Sequence, residues 1–437
     1  MEQPLDQLER FRFVDIEKLM KSAERRYREL LEVEKPVVLL CDRDPVQFLA
    51  GFIAACSAPC HVFLCNPNWG ETEWQQVFDI VAPNLIWGDV LLKLPSQHPN
   101  IPLNLPPNLI MIPTGGTSGK VRFAMHTWET LRASVQGFRQ YFEIEHSMRR
   151  SLRINSLCVL PLYHVSGLMQ FLRSFLTGGE FILQSWKTPD TQLDPQNFFI
   201  SLVPTQLQQL LIHSEWLARF KAILLGGAPA WSDLLQEARS RNLPIAPTYG
   251  MTETASQIAT LKPIDFLSGI QNCGRVLPHA EITITNQKLS IQSKSLMLGY
   301  YPNLLKEPRF DPDDLGYFDD RNFLHLIGRD SNKIISGGEN IFPSEVEAAI
   351  RSTKLVQDVH VLGTPDPIWG QTVTAIFVSC DETATIEQLK TALRSRLAAF
   401  KHPKRWIQVD QIPRTAQGKI RRDRIEEILK LSQRSYS

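Results

Sequence analysis

The sequence lacks a net charge of either sign. Its 47 Lys and Arg residues are balanced by 46 Asp and Glu residues, which leaves a formal charge of +1 over 437 residues. Such a chain has no global electric field that would attract nucleic acid or an anionic membrane, so we predict no nucleic-acid partner. Any anionic ligand must therefore be held by local groups.

The sequence also lacks signals for export and for membrane insertion. The opening stretch MEQPLDQLERFRF has neither the basic start nor the apolar core of a signal peptide. Seven scattered cysteines, an odd number, are typical of reduced thiols. The longest apolar stretch, 46–65, contains Gln47, Pro59 and His61, and it favours a buried helix to about Ser57 followed by a short strand. We expect a cytoplasmic protein with no membrane span.

Internal repeats and low-complexity tracts are absent, which disfavours solenoid and disordered chains. Instead, short apolar runs alternate with helical patterns up to about residue 280, and this favours an α/β fold with largely parallel sheets. The strand-like runs are VVLLC, HVFLC, NLIMIPT, SLCVLPL, FISLVP, AILLGG and PIAPTYG. A chain of this length exceeds what one hydrophobic core usually supports, so more than one domain is expected.

The pattern changes after about residue 280. Two hairpins are predicted at ITITNQKLSIQ and LGYFDDRNFLHLIG, and together they indicate a β-rich subdomain. From about Gly328 a smaller α+β unit follows, with a helix after Pro343 and another over IEQLKTALRSRLAAF. We therefore predict a large domain over 1–328 and a small domain over 329–437, joined near the polar residues 329–332.

Three segments contain residues suited to phosphate chemistry. The first is PTGGTSGK, 113–120, where glycines and hydroxyls would let backbone N–H groups turn toward a phosphate. It is neither Walker A, because Val121 follows Lys120, nor G-x-G-x-x-G. A simple turn remains an equal alternative for this segment taken alone.

The second segment is YGMTETAS, 249–256, which combines an aromatic ring, a hydroxyl and the carboxylate of Glu253 within five residues. Its alternative is a strand that leads into a helix with Thr252 as N-cap. The third is the basic run 401–424, in which PRTAQGK would present Lys419 on a turn within reach of a phosphate. The alternative for this run is a solvated charged surface.

The motifs occur in a recognisable order, from about residue 110 to 422: PTGGTSGK, LPLYH, LLGGAP, YGMTETAS, DLGYFD, GRDSNKIISGGENIFPSEVE and PRTAQGKI. This series resembles that of the acyl-adenylate-forming superfamily, which includes acyl-CoA synthetases, luciferases and peptide-synthetase adenylation domains. The resemblance implies the ANL fold with a mobile C-terminal domain. It also implies an AMP-forming acid–thiol ligase that uses ATP, Mg²⁺ and coenzyme A on a small carboxylic acid.

The resemblance further implies residue roles. Lys419, Thr252 and His164 would be catalytic, with Lys419 bridging the substrate carboxylate and the α-phosphate and His164 at the acyl-pocket boundary. Glu253 would bind magnesium, Gly337 and Gly338 would border the coenzyme A tunnel, and Ser331 would be the hinge. The ATP-binding set would be Thr114, Gly115, Gly116, Thr117, Ser118, Gly119, Lys120, Gly226, Gly227, Ala228, Tyr249, Gly250, Thr252, Asp314, Arg329 and Lys419.

The chain departs from the family pattern at several positions. Arg122 and Phe123 replace a usual lysine and glycine, Asp313 stands where glycine is usual, and Ser331 stands where the hinge is often aspartate. The chain is also short for the superfamily.

Within the family, the compact length, the hinge serine and the segments SGGENIFPSEVE and YGMTETASQ look most like those of the ligases of menaquinone or phylloquinone biosynthesis. The acid used by those ligases, 2-succinylbenzoate, carries two carboxylates. The polar residues expected in the acyl pocket are His164, Ser201, Thr205 and Gln257, together with Arg173. Another aryl- or acyl-CoA synthetase, an adenylation domain that loads a carrier protein, and an ATP-binding regulator remain alternatives. The sequence leaves the oligomeric state open, and a homo-oligomer is compatible with it.

Overall fold

The computed structural model describes residues 11–12, 16–90, 105–115, 120–143, 153–336, 338–380, 385–415 and 420–434. Among these residues, no helix combines the length and the apolar character needed to cross a bilayer. The described part of the chain forms four β-sheets with helices packed against them.

The largest sheet has eight strands, and the first six in its spatial order run parallel. The last two strands join it antiparallel, so the predicted parallel sheet is mixed at this edge. In spatial order the strands are Phe11–Arg12, Phe181–Leu183, Asn155–Cys158, Phe198–Leu202, Ala222–Leu225, Ile245–Met251, Ser256–Thr260 and Arg275–Val276.

A second sheet has seven strands, four parallel at one side and three antiparallel at the other. The inner parallel strands are almost wholly buried and rich in Val, Leu and Ile, as expected for strands covered on both faces, whereas the edge strand Leu85–Gly88 is partly exposed. In spatial order the seven strands of this sheet are Asn303–Leu304, Gly299–Tyr300, Val121–His126, Ile110–Gly115, His61–Leu64, Val37–Cys41 and Leu85–Gly88.

The two remaining sheets correspond to the predicted β-rich and α+β segments. The first is an antiparallel sheet of Ala280–Thr285, Lys288–Ser293, Asp314–Phe318 and Leu324–Arg329, and the predicted hairpin turn has Asn286 and Gln287 in the left-handed region. The second, which we call the fourth sheet, contains Ile334–Ser336, Glu339–Ile341, Val356–Asp366, Gly370–Ser379 and Arg405–Gln408.

The helices surround these sheets. Pro45–Ser57 begins at Asp44, whose carboxylate accepts the Val46 N–H, and it ends where the sequence predicted. The other helices are Ile16–Leu31, Glu71–Phe78, Trp128–Glu143, Val165–Thr177, Pro204–Leu210, Ser214–Leu217, Ser232–Ser240, Pro263–Leu267, Pro343–Arg351, Ile386–Leu393 and Arg422–Arg434.

One predicted helix is shorter than expected. The pattern IEQLKTALRSRLAAF indicated a helix to residue 400, but the helix ends at Leu393. The chain then turns so that Leu397 packs on the core of the fourth sheet, and His402 Nε2 lies 3.0 Å from the Leu397 carbonyl. Tertiary packing thus overrides the local helical pattern.

Candidate active site

The loop predicted to hold the phosphates of ATP joins two antiparallel strands, Ile110–Gly115 and Val121–His126. Thr114 is buried before the loop, and its hydroxyl has no hydrogen-bond partner among the described residues. Lys120 is exposed after it, while Gly115 pairs with Val121. Gly116, Thr117, Ser118 and Gly119 lie outside the described residues, so the phosphate contacts of this loop stay a prediction.

The residues predicted to contact adenine follow two neighbouring parallel strands, at their carboxyl ends. Gly226 has no room for a side chain, because a Cβ would lie 2.4 Å from Thr248 Oγ1. Gly227 has φ +81°, a left-handed conformation that favours glycine, and Ala228 follows it. A Cβ at Gly250 would lie 2.2 Å from the Ser256 carbonyl oxygen. Close approach or backbone conformation therefore explains glycine at each of these three positions, and their contact with adenine stays a prediction.

Tyr249 connects the residues predicted to contact adenine with those predicted to bind ribose. It is buried, and its hydroxyl donates to Asp314 Oδ2 over 2.8 Å. Arg329 Nε donates to the other oxygen, Asp314 Oδ1, over 3.0 Å. Burial and the negative charge of Asp314 raise the pKa of Tyr249, so its phenol stays protonated and remains the donor. The structure thus brings three predicted ATP-binding residues into direct contact.

His126 fixes the turn that carries Thr252. Its Nε2 lies 2.8 Å from the Thr252 carbonyl oxygen and its Nδ1 lies 3.1 Å from Thr130 Oγ1. Because a carbonyl can only accept, Nε2 carries the proton. Burial lowers the pKa of His126 to about 4, so the ring is neutral near pH 7. The helix considered for this segment is wrong, since Thr252–Thr254 is a single 3₁₀ turn that leads into the strand Ser256–Thr260.

Tyr300 orients Glu253, the predicted magnesium ligand. Its hydroxyl donates to Glu253 Oε1, and Arg122, to which the sequence assigned no role, places its guanidinium 4.3 Å from the centre of the Tyr300 ring. Burial and the charge of Glu253 raise the pKa of Tyr300, so the phenol remains a donor. Among the described residues, no group of three or more His, Cys, Asp or Glu side chains is arranged to hold a metal ion by itself. This donor set fits Mg²⁺ held by one carboxylate together with substrate phosphates.

The polar residues predicted for the acyl pocket lie on three neighbouring segments. His164 occupies the N-cap position of the helix Val165–Thr177, which also carries Arg173, and its ring lies 4.6 Å from that of Tyr163. Ser201 lies near the end of the buried strand Phe198–Leu202, and its N–H donates to Gln170 Oε1 over 3.3 Å. Thr205 is half-buried in the next helix. Each position adjoins the interior, and the contacts of these residues with a substrate stay a prediction.

Arg173 is a buried cation without a carboxylate partner among the described residues. It is 2% exposed, and its guanidinium lies 4.3 Å from the centre of the Phe138 ring. One nitrogen, Nη2, donates to Ser256 Oγ over 3.0 Å and to Gln257 Oε1 over 3.3 Å, while Nε has no described partner. Burial lowers the pKa of Arg173 to about 9, which still leaves it charged at neutral pH. Gln257, which was predicted to bind the substrate, is therefore a direct hydrogen-bond partner of Arg173.

His279 lies close to Arg173 and was missed by the sequence analysis. It is buried, and neither ring nitrogen has a hydrogen-bond partner in the described structure. The ring rests directly on the helix Trp128–Glu143, where a Cβ at Gly137 would lie 1.8 Å from its Nδ1. Burial, with a contribution from the charge of Arg173, lowers the pKa of His279 to about 4. The neutral ring therefore adds no second positive charge beside Arg173.

Lys419 lies outside the described residues, but the base of its loop is described. Arg414 and Ile420 form an antiparallel bridge across that base. Arg414 donates to both oxygens of Asp358, from Nε and Nη2, each over 3.0 Å. Although burial disfavours the charged form, Arg414 and Arg351 hold the pKa of Asp358 below its usual value. The lysine loop is thus anchored to the fourth sheet by an ion pair.

Asp358 also pairs with Arg351, which contacts a residue close to the segment predicted to bind adenine. Arg351 Nη1 donates to Asp358 Oδ1 over 2.8 Å, and the Arg351 guanidinium lies 5.0 Å from the centre of the Trp231 ring. Trp231 follows the segment that contains Gly226 and Gly227. Asp358 thus links the base of the lysine loop to Arg351, which contacts Trp231. Gly338 is exposed, and nothing lies within 4 Å of a Cβ built on it.

An exposed aromatic ring, that of Trp369, lies next to the strand pairing beside Gly338, and the sequence had not indicated it. Trp369 and Phe400 are 45% and 43% exposed, and Lys404 Nζ lies 3.6 Å from the centre of the Trp369 ring. Gly370, the next residue, pairs with Ser336 in the hairpin that contains Gly338. The contact between Trp369 and Lys404 joins positions that are distant in the sequence, so no local pattern indicated it. Gly337 lies outside the described residues, and Ser331 lies in the 3₁₀ turn Asp330–Asn332.

Comparison with known proteins identifies the family. A model described as AMP-binding enzyme matches residues 89–301, and one described as the C-terminal domain of AMP-binding enzymes matches residues 345–419. The chain is 35% identical over 331 residues to the 2-succinylbenzoate–CoA ligase of Listeria monocytogenes. The aligned region covers 72% of this chain and 68% of that protein. The chain belongs to the AMP-binding enzyme family.

Solved structures agree on the fold. The chain resembles o-succinylbenzoate CoA synthetase (MenE) from Bacillus subtilis in complex with the acyl-adenylate OSB-AMP, with a TM-score of 0.80, 24% identity, and coverage of 95% of this chain and 94% of that chain. It also resembles the same enzyme in complex with ATP and magnesium, with a TM-score of 0.78, 24% identity and coverage of 95% and 96%. The predicted ANL fold and the predicted membership of the acyl-adenylate-forming enzymes are confirmed.

Proposed function

We propose that this AMP-binding enzyme is an ATP-dependent 2-succinylbenzoate–CoA ligase. It would join the succinyl carboxylate to coenzyme A through an acyl-adenylate. ATP and coenzyme A would be its co-substrates, and Mg²⁺ would be its metal ion. The relatives reported above carry this activity in their names. We also propose residues 1–328 and 329–437 as its two domains, a cytoplasmic location, and menaquinone or phylloquinone synthesis as its pathway.

Arg173 is the observation that carries the substrate assignment. 2-Succinylbenzoate has a second carboxylate, on its ring, that takes no part in the reaction and must enter the acyl pocket. A buried carboxylate needs a charged or hydrogen-bonded partner. Arg173 is a buried cation that also lacks a carboxylate partner in the described structure, and its Nε is unbonded. A fatty-acyl pocket would have no use for such a group.

The adenylation step would proceed between the two domains. Tyr249, Asp314 and Arg329 would hold the nucleoside, with the adenine against the bare backbone of Gly226 and Gly227. The substrate carboxylate would attack the α-phosphorus, and pyrophosphate would leave. Bound Mg²⁺ would neutralise charge on the phosphates, held by Glu253 in the orientation set by Tyr300. Lys419 would offset charge between the carboxylate and the α-phosphate.

The second step would transfer the acyl group to the thiol of coenzyme A, with AMP as the leaving group. It requires the small domain to present Gly338 instead of the lysine loop, so the linker at Ser331 must change its backbone dihedrals. The exposed ring of Trp369, with Lys404 Nζ beside it, precedes Gly370, which pairs with Ser336 in the hairpin that contains Gly338. This ring and this lysine would suit the adenine and phosphates of coenzyme A.

A panel of carboxylic acids tests the proposal. Pyrophosphate release is measured with ATP, Mg²⁺ and each acid, and thioester formation is then measured with free coenzyme A. We expect 2-succinylbenzoate to support both steps. Release of pyrophosphate without transfer to free coenzyme A would indicate a carrier-loading adenylation domain. A higher kcat/KM for a simple aryl or fatty acid would assign another ligase. Lys419→Ala, expected to lose on the order of 100-fold or more in adenylation, serves as the negative control.

A further inference from the structure

Ser256 and Gln257 are neighbours in the chain, and both contact the same nitrogen of Arg173. Ser256 Oγ accepts from Arg173 Nη2 over 3.0 Å, and Gln257 Oε1 accepts from the same atom over 3.3 Å. The two residues begin the strand Ser256–Thr260. In a regular strand the side chains of successive residues point to opposite faces of the sheet, so they would not both reach one nitrogen.

The backbone before Gln257 is irregular, which explains how both oxygens reach Arg173. Ala255 has φ +49° and Ser256 has φ +92°, and neither residue is a glycine. The pairing with the neighbouring strand Ile245–Met251 also contains a register shift. Positive φ at other residues than glycine is uncommon and unfavourable, so it persists only where the surrounding structure fixes it.

The surrounding structure fixes this turn through its carbonyl groups. Five successive carbonyl oxygens, those of residues 252–256, each accept a hydrogen bond, and four of the five donors belong to other segments. In chain order of the acceptors, the donors are His126 Nε2 at 2.8 Å, the Met297 N–H at 2.8 Å, Ser295 Oγ at 2.8 Å, Ser134 Oγ at 2.7 Å and Thr254 Oγ1 at 2.7 Å. A turn held at every carbonyl resists relaxation, so the Ser256 hydroxyl stays beside Arg173.

We propose that Ser256 is a positioning residue that fixes the Arg173 guanidinium for the ring carboxylate of the acid, and that the left-handed backbone at 255–256 serves this role. The inference rests on the proposed 2-succinylbenzoate–CoA ligase function. Ser256 and Gln257 occupy Nη2, while the Phe138 ring lies 4.3 Å from the guanidinium. These contacts leave Nε without a partner among the described residues, and a carboxylate oxygen would accept from it.

The role predicts an effect that depends on the acid. Without the Ser256 hydroxyl, Arg173 Nη2 retains Gln257 as its acceptor, so the guanidinium stays in place but is held less firmly. A binding group that is less well preorganised binds its ligand more weakly. Only an acid whose ring carboxylate meets Arg173 should therefore be affected, and the change should appear in the KM for that acid.

Ser256→Ala, Ser256→Gly and Ser295→Ala test the inference together. The first two lack the hydroxyl, whereas Ser295→Ala removes a different hydroxyl bond to the same turn and is the matched control for disturbance of its backbone. For each variant, kcat and KM are measured with 2-succinylbenzoate and with 4-phenyl-4-oxobutanoate, which lacks the ring carboxylate.

Both Ser256 variants should lower kcat/KM for 2-succinylbenzoate about 3- to 10-fold, the range for one hydrogen bond, through a higher KM for this acid. Their kcat/KM for 4-phenyl-4-oxobutanoate and their KM for ATP should not change. Ser295→Ala should leave the ratio of the two acids as it is in the wild type. An equal loss on both acids, an equal rise in the KM for ATP, or the same change of ratio in Ser295→Ala would overturn the positioning role.

Thermal denaturation gives a readout that does not depend on turnover. Ser256→Gly should melt at a higher temperature than Ser256→Ala, because glycine adopts positive φ without the clash of a Cβ. With AMP present, 2-succinylbenzoate should raise the Tm of both variants less than that of the wild type. A lower Tm for Ser256→Gly than for Ser256→Ala would overturn the role of the backbone. If the wild-type protein prefers the acid without the ring carboxylate, the proposed function fails, and the two Tm values still decide whether the backbone at 255–256 is strained.

Discussion

Arg173 and Arg414 are positively charged side chains in two different regions, and they differ in whether a carboxylate lies beside them. Arg173, in the large domain, is 2% exposed and has hydroxyl and amide oxygens as partners, with no carboxylate among the described residues. Arg414, in the small domain, donates to both oxygens of Asp358 at 3.0 Å. The first charge is buried without neutralisation, and the second is neutralised inside the fold.

This difference separates a binding group from a structural one. Burying an unpaired charge is unfavourable, and a protein that keeps one there gains stability when an anion arrives. Arg173 therefore fits a ligand carboxylate, whereas Arg414 fits the support of the Lys419 loop. The comparison predicts that removal of the two charges has opposite consequences for stability and for substrate choice.

Replacement of Arg173 by methionine should give the largest effect on activity. We expect Arg173→Met to lose about 10³- to 10⁴-fold in kcat/KM for 2-succinylbenzoate, because the ring carboxylate would be buried without a partner. The kcat/KM for 4-phenyl-4-oxobutanoate, which lacks that carboxylate, should not fall. The variant should also be at least as stable to denaturant as the wild type, since it removes a buried charge.

Arg173→Lys is the matched control, and it should retain part of the activity because it retains the charge. An Arg173→Met variant that is strongly destabilised, or that loses activity equally on both acids, would show that Arg173 supports the fold and would remove the distinction from Arg414.

As the pH is lowered, the region around Arg173 should lose stability at a higher pH than the region around Arg414. His126 and His279 are buried with pKa values lowered to about 4 from 6.5, so in this range the unfolded chain binds protons that the folded chain does not. The free energy of unfolding should therefore fall as pH decreases from 6.5 to 4, on the order of 3 kcal/mol for each histidine. The pKa of Asp358 is lowered from 3.8, so its contribution is lost only below that pH.

Hydrogen exchange followed by mass spectrometry at about pH 7 and about pH 4.5 measures the two regions separately. The helix Trp128–Glu143 should lose more protection than the strand Val356–Asp366. His126→Gln should reduce the pH dependence. Equal loss in both regions, or an unchanged slope in that variant, would contradict the assignment of the neutral histidines.

Replacement of Arg414 should have the smallest of these effects. Arg414→Met leaves the partly buried Asp358 with Arg351 as its remaining charged partner, and we expect a loss of about 2 kcal/mol in the free energy of unfolding. Adenylate formation should fall because the base of the lysine loop loosens, while the preference between the two acids should stay unchanged. Thermal denaturation and the two kcat/KM values check both parts. A changed acid preference would place Arg414 at the substrate.

Local patterns were sufficient for much of the fold. The alternating runs predicted most strands, and Asn286 and Gln287 adopt the turn that their hairpin required. Arg173 also carried a signal, as the single charged residue of the helix VSGLMQFLRSFLT. The resemblance supplied Tyr249, Asp314 and Arg329, which the structure brings into contact.

Contacts between distant segments could not be read from those patterns. His126 meets Thr252 across 126 residues, and Tyr300 meets Glu253 across 47. Each depends on the order of strands in a sheet and on their register, which a one-residue shift would change completely. The burial of His279 against the helix Trp128–Glu143 and the ion pairs of Asp358 could not be predicted for the same reason.

The ratio of kcat/KM for 2-succinylbenzoate to that for 4-phenyl-4-oxobutanoate, measured on the wild-type protein by pyrophosphate release, tests the central claim most directly. The two acids share the reacting carboxylate and differ only in the ring carboxylate that Arg173 would neutralise. We predict a ratio of at least about 10³, as expected for a site built around a buried charge. Comparable values for the two acids would contradict the assignment of Arg173 and of the substrate.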